Sequence, residues 1–133
     1  MPLVRVICEM VEDLDNYADP KSIIVLNVIL NRANYIKTEI QSFGYNKCWT
    51  ENRKTYKEYP FILKLDGLSS GWGRLDYGGF DEDADDQINL IHQPIRRNTE
   101  FTLCEHGDGK DARYTYVVTG MHVFEEEPPK HPG

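Results

Sequence analysis

The last third of the chain most limits what it can fold into. Residues 100–105 (EFTLCE) and 113–125 (RYTYVVTGMHVFE) are rich in β-branched and aromatic residues, and the intervening HGDGKDA contains Gly-Asp-Gly. Two such runs around a glycine turn predict a β-hairpin, so the chain must be built around antiparallel pairing. The opening VRVICEMV adds a further strand. Val4, Val6, Cys8 and Met10 fall on one side and Arg5, Ile7, Glu9 and Val11 on the other, which leaves one face wholly apolar. Phe61, Leu63 and Leu65 alternate with Ile62 and Lys64 and predict a short strand entered through Pro60.

The middle of the chain reads two ways. Ile23, Ile24, Val25, Val28 and Ile29 are β-branched and suit a buried strand near 22–30. Asp19-Pro20 would equally start a single long helix. Ala33, Ile36, Ile40 and Phe43 then recur at intervals of three, four and three, with Gly44 placed as a C-terminal cap. That spacing predicts a helix near 32–43. Residues 45–59 have no clear period and read as a long loop or irregular edge. The five glycines of 67–79 predict turns or bulged strand. Strands, one helix and more strands make an α+β fold: a bent antiparallel sheet or small barrel with one packed helix.

A chain of 133 residues fits one domain, here 1–126 with a frayed tail at 127–133. No apolar run is long enough to span a bilayer. The start lacks a charged-then-apolar leader, so the expected location is cytoplasmic, with no membrane partner. Cys8, Cys48 and Cys104 are odd in number and widely spaced, which argues against a disulfide framework or zinc site and for small core residues. A net charge of −7 disfavours general binding to nucleic-acid backbones and favours basic partner surfaces.

Familiar catalytic signatures fail at identifiable residues. Gly67-Leu68-Ser69-Ser70-Gly71 fits GxSxG, but the residues after it make a poor helix and no parallel sheet is expected to present the serine. The same segment has Trp72 and Gly73 where a phosphate loop needs glycine and lysine. The acidic run from Asp81 to Asp86 has Asp86 and His92 where a calcium loop needs glycine and glutamate. His106 lies among Glu105, Asp108 and Asp111, but loop tips are solvated and rarely shift a pKa. His92 and His122 lie in apolar segments and read as partly buried structural residues. The chain therefore reads as non-catalytic, with no metal and no cofactor, and a small hydrolase using Ser69 or the His106 cluster is the weakest alternative.

Recognition remains. In 45–59, Lys47, Arg53, Lys54 and Lys57 interleave with Tyr45, Trp49, Tyr56 and Tyr59, giving a local charge of +2 in an acidic chain. Aromatic and arginine side chains are common anchors at protein interfaces, and the same groups can stack on and neutralise a phosphate-bearing ligand. The candidate binding residues are Trp49, Arg53, Lys54 and Tyr56, joined by Trp72, Arg74 and Tyr77 if the two segments meet. The first reading is protein–protein recognition, as for a small inhibitor, an immunity-type protein or an assembly component, with self-association included. The second is a pocket for a nucleotide-like small molecule.

Overall fold

In the computed structural model, which describes residues 2–12, 22–49, 55–65, 71–78, 86–107 and 110–124, each strand pairs antiparallel with its neighbours in sequence. The strands are β1 (Leu3–Glu12), β2 (Ile23–Ile29), β3 (Ser42–Trp49), β4 (Tyr56–Lys64), β5 (Gly73–Asp76), β6 (Asp86–Ile88), β7 (Glu100–Gly107) and β8 (Lys110–Val123). β8 returns to pair with β1, closing the eight strands into a barrel. The seam runs from Val4↔Val123 to Glu12↔Thr115, with register shifts at Ile7/Cys8 and Met10/Glu12. Such irregularities bend strands and let a sheet curl onto itself.

This all-β barrel replaces the expected α+β fold, and no helix occurs among the described residues. The 3-4-3 spacing in 32–43 is real but serves other ends. The Asn31 side chain accepts from the backbone N–H groups of Ala33 (2.9 Å) and Tyr35 (3.0 Å), folding the chain into a turn. Asn34 is left-handed at φ 70°, which a helix interior does not tolerate. Ile36 then bridges to Leu30 and is buried, whereas Phe43 is exposed on β3. Gly44 is a strand residue rather than a cap: a Cβ there would overlap the carbonyl oxygen of Val25 on β2.

Residues 45–59 also depart from expectation. They contribute to the β3–β4 hairpin, paired from Ser42↔Leu63 to Trp49↔Tyr56. Strand β2 lies where the β-branched run placed it, and β7–β8 is the hairpin read from the last third. His92 and His122, expected to be partly buried, are both exposed. The loop expected after β1 (from 13 on), the acidic residues 81–85 and the tail 127–133 lie outside the described residues.

Alternation fills the interior. Val6, Cys8, Ile24, Leu26, Val28, Leu75, Ile88, Leu103 and Val118 are fully buried, each aliphatic side chain contributing about 1.5–3 kcal/mol. An eight-stranded barrel is just wide enough for side chains to fill it. One end is sealed by the β2–β3 and β6–β7 connections. Ile36 from the first and Leu90, Ile91 and Ile95 from the second are buried there, and the Ile95 N–H donates to the Asn34 carbonyl at 2.7 Å. The β1–β2, β3–β4, β5–β6 and β7–β8 connections leave from the opposite end.

The close β2–β3 approach gives a direct test. Gly44→Ala should destabilise the protein by about 1–3 kcal/mol, because backbone must move to admit the methyl group. Gly120→Ala, whose added Cβ would lie 3.5 Å from Ile7 in ordinary contact, should be far milder. Urea denaturation of both variants would show whether this contrast holds.

Candidate functional site

Strand β3 has the reverse of the usual core pattern. Ser42, Gly44, Asn46 and Cys48 take one set of alternate positions, and Phe43, Tyr45, Lys47 and Trp49 the other. Ser42, Gly44 and Asn46 are buried, so the large side chains face outward. Directly opposed residues share a face. The outer surface of the hairpin is therefore built from Phe43/Ile62, Tyr45/Pro60, Lys47/Glu58 and Trp49/Tyr56. Phe43 is 49% exposed, Tyr56 47% and Ile62 39%.

At the hairpin tip this surface is organised around one cation. Lys47 Nζ lies 3.9 Å from the Tyr56 ring centroid and 5.0 Å from that of Trp49. The two rings meet edge to face at 4.9 Å. At an exposed site each cation–π contact contributes about 0.5–1 kcal/mol, enough to hold the rings upright as a preformed surface. Trp49 and Tyr56, both singled out in the sequence, are thus brought together. Arg53 and Lys54 lie outside the described residues.

The other candidates go elsewhere. Tyr77 turns into the barrel, its ring 6.0 Å from Phe61 and 6.4 Å from Tyr59, and its hydroxyl donates to Asp86 Oδ2 at 2.7 Å. Trp72 is half-buried beside the start of β5. Arg74 faces Lys64 across the β4–β5 pair. Lys64 is eight residues along β4 from Tyr56, about 26 Å in an extended strand, so Arg74 and the Trp49–Tyr56 pair occupy opposite ends of the wall. Tyr77 meets the first segment through Tyr59. Trp49 and Arg74 do not share a site.

The interior at the end away from the apolar seal is polar. Cys48 Sγ donates to Asn46 Oδ1 at 3.4 Å, Ser22 Oγ to Cys48 Sγ at 3.8 Å, and Tyr114 Oη to Glu105 Oε2 at 3.4 Å. Burial raises the phenols of Tyr77 and Tyr116 above their ordinary range, and the Asp86 charge raises Tyr77 further. Both stay protonated, Tyr77 as a donor. Burial also pushes the Cys8 thiol up to about 12, which leaves it inert as a nucleophile. The hydrogen bonds among these groups are those of a polar network that helps to fix register inside a core.

A second surface feature lies near the sealed end. A groove of about 520 Å³ runs between residues 36–42 and the ends of β4 and β5, lined by Ile36, Ile40, Leu63, Lys64, Arg74 and Asp76 among others. Neither Lys64 nor the exposed face of β3–β4 was singled out from sequence. The signal for the second was available in the inverted alternation of SFGYNKCW.

Catalysis gains no support. All strand pairs are antiparallel, so the parallel sheet of a serine elbow is absent among the described residues, and Ser69 lies outside them. His106 pairs in register with Asp111, but Asp108 and the relevant side chains lie outside the description. No group of three metal-ligating side chains occurs among the described residues, and no helix there is long and apolar enough to cross a membrane. A scan against protein-family models and searches of curated proteins and of solved structures each return no match to this chain.

Glu105 offers a test of the polar end. Glu105 is exposed at the rim of this end, and partial desolvation raises its carboxyl above the ordinary value of 4.5, an effect that the Tyr114 hydroxyl partly offsets. The folded state then holds this proton more tightly than the unfolded chain. Stability from this group is therefore fullest below the unfolded value and falls as pH rises through the folded one. Glu105→Gln should gain on the wild type as pH is raised above about 4.5, with the difference levelling off once the folded group is ionised. Thermal melts of both proteins across the acid range would check this, and a difference independent of pH would contradict it.

Proposed function

We propose that the protein is a non-catalytic recognition module that docks a partner protein on the outer face of the β3–β4 hairpin. The observation that carries this reading is the inverted amphipathicity of β3: aromatic and apolar side chains stand outside while serine, glycine, asparagine and cysteine point in. A strand that only built the barrel would do the opposite. Phe43, Ile62, Tyr45 and Pro60 adjoin at one end of this face and Trp49 and Tyr56 at the other, with Lys47 and Glu58 between them, and exposed apolar surface of this kind marks interaction sites. Trp49 and Tyr56 are rigid aromatic anchors already held by Lys47.

Charge narrows the partner. The hairpin itself carries a net +2 over residues 45–59, and the β5–β6 connection, residues 79–85, carries four carboxylates and no cation. A partner whose apolar patch is flanked by charges of both signs fits best, and its association would slow with added salt. A cytoplasmic setting is consistent with three free cysteines.

The test compares the wild type with Phe43→Ser and with Trp49→Ala/Tyr56→Ala, all confirmed folded by circular dichroism. A partner captured by the wild type should be lost by about tenfold or more in affinity with either variant, in line with the loss of an aromatic anchor. Light scattering identifies the case in which that partner is a second copy. Capture indifferent to both variants would remove this face from the function.

A further inference from the structure

The barrel wall has a step in it at the end opposite the apolar seal. The β3–β4 ladder continues to Trp49↔Tyr56, whereas β5 accompanies β4 only from Lys64↔Arg74 to Ile62↔Asp76. Strand β5 ends where Asp76 Oδ1 accepts the Gly78 N–H at 2.8 Å and Gly78 takes a left-handed φ of 85°. Beyond that point β4, from Tyr56 to Pro60, has β3 on one side and no paired strand on the other among the described residues. This open edge is about 17 Å long. Pro60 fixes which backbone groups lie on it. The β3–β4 register has no shift, so no bulge accommodates the proline, and its missing N–H belongs on the unpaired side. Alternate residues of a strand turn their backbone groups to the same side, so Glu58 and Tyr56 also present N–H and C=O groups to the edge.

A pocket stands at the foot of this edge. About 260 Å³ in volume, it is bordered by Pro60, Phe61 and Ile62 of β4 and by Asp76, Tyr77 and Gly78 where β5 ends. That is below the ~300–1,000 Å³ of small-molecule sites and suits a single side chain. Next along the outer face, two residues from Pro60, comes Glu58. Its partner across the ladder, Lys47, is engaged with the Tyr56 and Trp49 rings, and Glu58 makes no ion pair among the described residues. We propose that an extended segment of a partner protein adds to β4 as a strand in line with β5, with an apolar residue in the pocket opposite Pro60 and a basic residue two positions later opposite Glu58. Backbone hydrogen bonds hold such a strand, and its alternate side chains select it. A strand in line with β5 runs antiparallel to β4, the more stable pairing. The chain's net charge of −7 draws a basic segment towards it. The proposal rests on the reading of this hairpin as a docking surface and adds how the partner is held.

The experiment titrates the intact protein with the capped peptide acetyl-LTKTT-amide, one residue for each from Pro60 back to Tyr56, followed by amide NMR. The peptide should bind saturably and perturb amides of residues 56–62 and 76–78. Serine in place of its leucine should weaken binding by about tenfold or more, the loss of one buried aliphatic side chain. N-methylation of the leucine and lysine, whose N–H groups turn to β4, should abolish binding. N-methylation of the threonine between them should leave it unchanged. Glu58→Lys should weaken binding by about threefold and reverse the preference in favour of acetyl-LTETT-amide. Glu58→Pro should abolish binding, because it removes an edge N–H and leaves the β3 ladder intact, and its amide spectrum without peptide checks the fold. Should that variant not fold, Glu58→Lys with the two peptides still decides the matter. Trp49→Ala should leave peptide binding unchanged, which separates the edge from the outer face. No saturable binding, an equal effect of the two N-methylations, or a Glu58→Lys variant indifferent to the charge of the peptide would overturn strand addition. The outer-face reading would then stand or fall on Phe43→Ser alone.

Discussion

The β1–β8 seam is the contact on which the other features depend. Without it the eight strands would be an open, twisted sheet with two unpaired edges, and its inward face would meet water. Closure turns alternate positions of every strand into an inside, and that decides which residues of β3 and β4 are outside. The exposed row from Phe43 to Trp49 is a surface feature only because the barrel has a lumen for Ser42, Asn46 and Cys48 to face. The groove at Arg74 depends on closure too, since the β2–β3 connection reaches the β4–β5 wall around the sealed end.

The two ends of the barrel are chemically unlike. One is plugged by Ile36, Leu90, Ile91 and Ile95 and supplies hydrophobic stability. The other holds hydroxyl, carboxamide, thiol and carboxylate groups bonded to one another, with Tyr77–Asp86 the shortest of these contacts. Hydrogen bonds of this kind add little net stability but make the wrong register costly. Gly44 has a related role, because only a residue without Cβ lets β2 and β3 approach as they do.

Local pattern made β1, β2 and the β7–β8 hairpin legible, since each shows an apolar alternation or a β-branched run that needs no tertiary knowledge. The helix expected at 32–43 shows the limit of periodicity. Ile36, Ile40 and Phe43 have helical spacing, yet Asn31 and Asn34 impose a turn, and the three apolar residues go to a plug, a groove wall and an outer face. Strand β3 was hidden because its apolar side faces outward, so its inward stripe does not look like a core. Trp49 and Tyr56 were recognisable as binding residues by type. Their neighbours Phe43 and Ile62, and the pairing of Lys64 with Arg74, required the register. Strand register is a long-range property that single positions do not encode.

The seam joins the first strand to the last. Val4 pairs with Val123, and the Phe124 N–H donates to the Leu3 carbonyl at 2.9 Å. Every other ladder joins strands adjacent in sequence and can form as the chain lengthens. During synthesis, β1 therefore waits with one edge unpaired until β8 leaves the ribosome. For that interval the growing sheet is exposed to pairing with other chains. Pairing between strands so far apart in sequence carries the largest loop-closure cost of any ladder in the barrel, so the edge of β1 is the last that topology allows to be covered.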